Sequence, residues 1–451
     1  MRLVVISSAP IVQINQQNYL YAPYEKEMQL WAKHADTIQF CCPIWKEDRN
    51  LLLAPISFEV TDLVIVPEFD FTSFRNQLKA FPRALVAMVK IYQAMQQADH
   101  IHLRCPGNMG LLGALVQILF PKKKKTAKYA GNWDPKSKQP LSYRLQQWIL
   151  SNPFLTKNMQ VLVYGEWPNQ TKNVKPFFTA TYSEDEIQKL EFRIQNQLSL
   201  AAKSRTTENS LDSAPSDKQD TSSLSLRAKS RTTENNFDSA RLDKLDATSL
   251  SLATDSRTTE NSLDSARLDK IEINLPSTSF LFVGTLSKGK QPLYAIQLVE
   301  ALHQQEEKVL LEVYGEGEMR QELERYLAQN HLEAIVTLHG NQSKETILHA
   351  YQSSHFLILP SKSEGWPKVV AEAMFWGCVP IASPVSCVAY MMGNGSRGLL
   401  LTERLEADVN KIYKLVSDKE QYQRMAIEGL NWSRQFTTDK FELEIMKLLR
   451  G

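Results

Sequence analysis

Twice along this 451-residue chain, short apolar runs alternate with helix-length amphipathic stretches. In the first block the runs are Leu3 to Ile6, Thr37 to Cys42, Leu63 to Val66, Ile101 to Leu103, Thr126 to Ala130 and Val161 to Tyr164, with helical stretches such as Tyr24 to His34 and Leu85 to Gln97 between them. In the second the runs are Ser279 to Val283, Val309 to Tyr314, Val336 to His339, Phe356 to Leu359 and Val379 to Ala382. An unbroken apolar run is a strand buried on both faces, and such strands alternating with helices build a parallel sheet covered on both sides. The expected fold is α/β: two Rossmann-like domains, residues 1–182 and 276–430, facing a cleft. A C-terminal helix over 431–451 is expected to pack back on the N-terminal domain.

The segment between the blocks, 183–275, follows a different rule. From residue 198 it holds three units of 26-residue period, each opening Leu-Ser-Leu, with the words SRTTENSLDSA, SRTTENNFDSA and SRTTENSLDSA starting at Ser204, Ser230 and Ser256. Ser, Thr, Asp and Lys dominate, and Phe237 is the only aromatic residue of the repeats. Three polar units cannot bury a core, so a disordered or transiently helical insertion is expected rather than a solenoid. Ser183 and Glu186 have the spacing of a capping box that opens a helix leading into it.

Hydrophobic content of 43% and charged content of 23% are those of a globular chain, and a net charge of +2 excludes a strongly basic nucleic-acid binder on global grounds. Cys41, Cys42, Cys105, Cys378 and Cys387 show no metal-binding spacing and sit in or beside apolar runs, as small buried residues of a reducing compartment do. The opening MRLVVISSAP reads as a first strand rather than a signal peptide, and no run is long enough to span a bilayer. A cytoplasmic location is expected.

Residues 361–383, SKSEGWPKVVAEAMFWGCVPIAS, carry the clearest chemistry. They read as loop, helix from about Pro367, Gly377 as the stop, then a strand. Glu364 and Glu372 are eight apart, with Glu372 between Ala371 and Ala373 on a largely apolar helix. Such a carboxylate needs a partner. Both acids fall at the carboxyl end of a parallel sheet, where open α/β folds bind ligands, beside a helix start able to offer N–H groups to a phosphate. Acceptors for hydroxyls beside donors for an anion suit a nucleotide-sugar. Upstream, FLFVGTLSKGKQ places Gly284 at a strand end with Lys290 six residues on, LEVYGEGE places Gly315 and Gly317 after the next strand, and His339-Gly340 ends the one after.

This order of motifs resembles the donor domain of the retaining glycosyltransferases of family 4, the glycosyl transferases group 1, which have the GT-B architecture. The resemblance covers roughly residues 279–402. It implies that Glu364 contacts hydroxyls of the donor sugar, Glu372 the ribose and Lys290 the diphosphate, and that Gly365, Trp366, Lys368 and Val369 offer backbone amides to it. Thr285 stands where the family often has arginine, a charge that Lys288 or Lys368 replaces in this reading. Pro367 stands where glycine is common and brings no N–H. The N-terminal stretch SSAPIVQINQQNYLYAPYE lacks the family's glycine pair. The histidine often found after the fifth strand is replaced by Tyr129-Ala-Gly-Asn-Trp133-Asp134.

On the acceptor side the candidates are His102 and Arg104, after a strand, and Asn132, Trp133 and Asp134. Each has a plain structural alternative: a core histidine, a salt bridge, a ring packed under its loop. Lys122, Lys123, Lys124 and Lys125 either meet an anionic membrane or complement a helix end. The expected activity is transfer of a sugar from a nucleotide-diphospho-sugar to a glycan or lipid-linked glycan, with retention, in cell-surface polysaccharide synthesis. Glu364 and Lys290 are the catalytic pair, and no cofactor, metal or nucleic acid is involved. A nucleotide-sugar epimerase and a non-catalytic sugar-nucleotide-binding protein stay open as rivals.

Overall fold

The structure is a computed structural model that describes residues 1–49, 51–68, 74–188 and 277–450. The three repeats lie outside the described residues. The chain divides into a large unit, Met1–Glu184 with Ile271–Gly451, and a small one, Asp185–Lys270. Of the small unit only 185–188 are described, and they are helical, where the Ser183/Glu186 spacing predicts a helix start.

Two parallel sheets build the large unit. The N-terminal sheet has seven strands in the order Val174–Phe177, Met159–Tyr164, Lys124–Tyr129, His100–Cys105, Arg2–Ile6, Thr37–Cys42, Asp62–Ile65. The C-terminal sheet has six, in the order Val336–Gly340, Val309–Tyr314, Thr278–Val283, Phe356–Leu359, Val379–Ala382, Leu399–Leu400. Every neighbour in both is parallel, so each crossover carries helix or loop over a face, which is why the strands read as unbroken apolar runs. All eleven expected strands are present, with ends moved by at most two residues. The α/β fold of two Rossmann-like sheets is thus observed.

One stretch departs from expectation. SSAPIVQINQQNYLYAPYE, where none of the expected strands falls, forms a hairpin of Ile11–Ile14 with Gln17–Tyr21, joined by Ile44–Trp45 and Leu53–Pro55 into a small four-stranded sheet. Asn15 and Gln16 both take positive φ, 49° and 64°, the left-handed pair a two-residue hairpin turn requires. Asn-Gln is an unusual pair for that turn, so the usual Asn-Gly signal was missing.

Among the described residues the core forms three layers. One lies between the N-terminal sheet and the helices Phe74–Gln97, Asn108–Val116 and Leu141–Leu150. A second lies on the C-terminal sheet under Pro292–His303. The third runs through both halves, from Leu3, Trp31 and Phe40 to Leu357, Trp366 and Met374. The helix Thr438–Arg450 belongs to this last layer: Phe441 meets Phe177 at 5.2 Å between ring centres, and Glu442 pairs with Lys33 and His34, both at 2.9 Å.

Candidate active site

The loops after Thr278–Val283 and after Phe356–Leu359 come together because the two strands are neighbours. Gln291 donates from its side-chain amide to the Pro360 carbonyl at 2.6 Å, and the Lys362 amide donates to the Gly289 carbonyl at 2.9 Å. Zipped in this way, the loops bring Lys290 and Glu364, 74 positions apart, into an ion pair of 2.5 Å. Glu364 is 8% exposed and Lys290 29%, so the pair sits at a mouth, with the cation outermost.

Beneath it the glycines form a ledge. The Gly284 amide donates to the Tyr314 carbonyl and the Gly315 amide to the Gly340 carbonyl, at 2.9 and 2.8 Å. Gly315 has φ of 137°, and a Cβ there would lie 1.9 Å from the Gly284 carbonyl oxygen. One at Gly317 would lie 2.4 Å from the Leu286 carbonyl oxygen. Bare backbone at the ends of two adjacent strands allows close approach by a ligand. Thr285 is exposed beside this ledge. His339, at the third strand end, lies flat on Tyr314 (4.5 Å, 10°) and its Nε2 is 2.6 Å from Glu312.

The helix Lys368–Phe375 starts next to Glu364, with Pro367 before it and no side chain capping its first turn. Its first N–H groups, those of Lys368 and Val369 included, have no intrahelical acceptor and are the natural place for an anion. Gly365 is held by its carbonyl, which accepts from Ser386 Oγ at 3.1 Å and from Cys387 Sγ at 3.0 Å. Trp366 is buried, tilted against Tyr164 at 5.8 Å and stacked on Trp432 at 6.1 Å. Glu372 has both carboxylate oxygens engaged: Thr181 Oγ1 donates to one at 2.9 Å and Tyr351 to the other at 3.2 Å. Neither residue was foreseen. Tyr351 lies in the helix Lys344–Ser353 and Thr181 in the chain leaving the N-terminal sheet.

The strand ends of the N-terminal sheet face this mouth. A Cβ on Gly365 would lie 2.9 Å from the Ala130 carbonyl oxygen, and one on Gly165 would lie 2.8 Å from Cys387. Behind that seam lies a charged cluster. Glu27 pairs with Lys128 at 2.9 Å and with Arg104 at 3.4 Å, and Arg104 covers the Tyr24 ring at 3.9 Å. Lys128 is 1% exposed and faces the rings of Phe441, Phe177 and Tyr164 at 4.8 to 5.8 Å. Burial alone would raise the Glu27 carboxyl, but Lys128 and Arg104 outweigh it and hold it at about 2. Burial pulls Lys128 down to about 8. Lys368 is lowered by burial too, with Glu372 and Glu27 opposing and Arg104 reinforcing the fall, so it shares this field. Three cations thus share a desolvated region with Glu27 and Glu372, whose oxygens Thr181 and Tyr351 already bind.

The other acceptor candidates take structural places. His102 is fully buried against Trp31 at 4.3 Å, its Nδ1 2.8 Å from Thr126 Oγ1, and burial lowers it to about 3. Trp133 packs edge-on against Tyr129 at 4.8 Å beneath its loop. Asn132 Oδ1 accepts from the Asp134 amide, and Asp134 Oδ1 from the Lys136 amide, each at 2.8 Å, so both side chains shape a turn. Lys123 donates to the Gln96 and Ala98 carbonyls, Lys124 to the Arg450 carbonyl, and Lys125, buried, to the Gln117 and Phe120 carbonyls. Of the four lysines, three are thus engaged with backbone carbonyls.

Residues 266–432 match the family model described as Glycosyl transferases group 1. An uncharacterized glycosyltransferase of Methanocaldococcus jannaschii is 27% identical over 135 residues, 30% of this chain and 38% of that protein. An alpha-D-kanosaminyltransferase of Streptomyces kanamyceticus is 26% identical over 147 residues, 32% and 38% of the two chains. The matches therefore span less than half the length of these relatives. Among solved structures, a sucrose-phosphate synthase from Thermosynechococcus elongatus superposes with a TM-score of 0.53 at 15% identity, covering 100% of this chain and 98% of its own. Anabaena HepE, solved in complex with UDP, gives 0.55 at 12% identity, covering 100% and 99%. At these identities the likeness is one of fold.

Proposed function

With residues 266–432 matching the glycosyl transferases group 1, we propose that this chain is a glycosyltransferase. It moves a sugar from a nucleoside-diphospho-sugar to a hydroxyl of a glycan or lipid-linked glycan, with retention of configuration and without a required metal ion. A role in cell-surface polysaccharide synthesis is part of the same reading. The observation that carries it is the Lys290–Glu364 pair at the mouth between the glycine ledge and the start of Lys368–Phe375.

Each part has a task. The diphosphate lies against the Lys290 ammonium and the amides of Lys368 and Val369, which stabilise the charge that grows as the sugar leaves. Glu364 accepts hydrogen bonds from the sugar hydroxyls and holds the anomeric carbon toward the acceptor. Glu372 takes the ribose hydroxyls, which replace Thr181 and Tyr351 as its donors. Arg104, Lys128 and Lys368 add positive potential from behind the seam. The acceptor oxygen forms its bond to the anomeric carbon on the face that the diphosphate leaves, and the departing phosphate oxygen takes the acceptor proton. A closed seam excludes water and limits donor hydrolysis.

The test begins with a thermal-shift panel of nucleotide-sugars on the full chain, since a bound ligand raises apparent stability by mass action. UDP-glucose comes first, because Anabaena HepE has been solved with it. Candidate acceptors then follow with the best donor, with and without EDTA, the product anomer being read by NMR. Conversion of donor sugar without acceptor would mean an epimerase. Binding without hydrolysis or transfer would mean a binding protein.

A further inference from the structure

Residues 82–165 hold twelve lysines and arginines and two acids, Asp99 and Asp134, although the whole chain carries only +2. Arg104 and Lys128 serve the site, and Lys123, Lys124 and Lys125 bind carbonyls. Most of the remainder surround one helix, Leu141–Leu150. Its inner face buries Gln146, Ile149 and Leu150. Its outer face, at helical spacing, presents Leu141 at 80% exposure, Leu145 at 44% and Trp148 at 60%, with Arg144 among them. Phe154, 76% exposed, continues the stripe and carries Lys157 over its ring at 5.1 Å. Asn158 donates to the Pro121 carbonyl at 3.0 Å, which sets Lys122 beside that end. Lys136 and Lys138, both exposed, precede the other end.

We infer that this face docks on a lipid surface bearing anionic headgroups. Large apolar side chains standing in water at a helix surface need a cover. An apolar stripe with bases at its rim and no acid along the helix matches the boundary between acyl chains and phosphates. A second copy seated symmetrically would set this cationic rim against itself. Nucleic acid would use the bases but leave two leucines without a role. Among the described residues no helix is long and apolar enough to cross a membrane, so the attachment is peripheral. The inference uses nothing of the sugar chemistry, so vesicle binding and transfer can fail independently.

The experiment is co-sedimentation of the full chain with phosphatidylcholine vesicles, with and without phosphatidylglycerol. The unaltered chain is expected to bind the anionic vesicles and to release them as salt rises. The pair Leu145→Ser with Trp148→Ser should lose at least about tenfold in binding. Arg144→Glu with Lys157→Glu should remove the phosphatidylglycerol dependence, at roughly fivefold for each base lost. All four positions are exposed, and unchanged melting temperatures would exclude unfolding as the cause. Failure of the unaltered chain to bind, equal binding by all three proteins, self-association that Trp148→Ser abolishes, or displacement of the vesicles by RNA at equal affinity would each overturn the inference.

Discussion

Lys290 and Glu364 hold each other, so each is oriented by a partner for which a donor would compete. Removing either should therefore do more than delete one contact. Lys290→Ala and Glu364→Gln are each expected to lower kcat/KM by roughly a hundredfold or more while leaving the fold intact, which steady-state kinetics and circular dichroism would check together. Full activity in both would place the site elsewhere. Glu27 makes a different kind of prediction. Its carboxyl is held at about 2 against an ordinary 4.5, so the stability it contributes is present above pH 4.5 and is lost as pH falls toward 2. The amount is on the order of 3 kcal/mol. Urea titrations at several pH values should find Glu27→Gln well below the unaltered chain at neutral pH, with the gap closing in acid. A constant gap would mean that Lys128 and Arg104 do not set the carboxyl. Such residues were partly legible in advance. Glu364, Glu372 and Lys290 stood out by motif, whereas Lys128 is one of three lysines in the strand Lys124–Tyr129, and nothing in that sequence distinguishes the one that pairs with an acid from those that meet carbonyls. Thr181 was not legible, because its meeting with Glu372 spans 191 positions and depends on how the two sheets are packed.

Strands and helices were read well for a physical reason. Parallel strands buried on both faces are continuous apolar runs, and their period does not depend on the partner strand. The small sheet near the N-terminus failed that test, because its strands are short, half-exposed and closed by Asn15-Gln16 instead of a glycine turn. Gln16→Gly should relieve the left-handed strain and stabilise the fold by about 1 kcal/mol, measurable as a shift in urea midpoint. The opposite holds at the ledge. Gly315→Ala puts a methyl group against the Gly284 carbonyl, and a loss of about 2 kcal/mol or more is expected, together with weaker nucleotide binding by thermal shift. If Gly315→Ala bound nucleotide normally, the ledge would not be the phosphate approach.

On the scale of the whole molecule, the core does not respect the division suggested by the two sheets. The helix Thr438–Arg450 lies beyond the last strand of the C-terminal sheet, yet Phe441, Ile445 and Leu449 are buried in the layer that holds Leu3, Val5 and Trp31. Lys124 reaches the carbonyl of Arg450 at 2.6 Å, closing the same circuit. During synthesis, domains generally form in order of emergence. Here the N-terminal half leaves the ribosome early with a furrow lined by Phe177 and Phe178, and the segment that fills it is translated more than 250 residues later. Until then that furrow is open surface on a nascent chain, a foothold for chaperones and a reason for truncated products to be cleared.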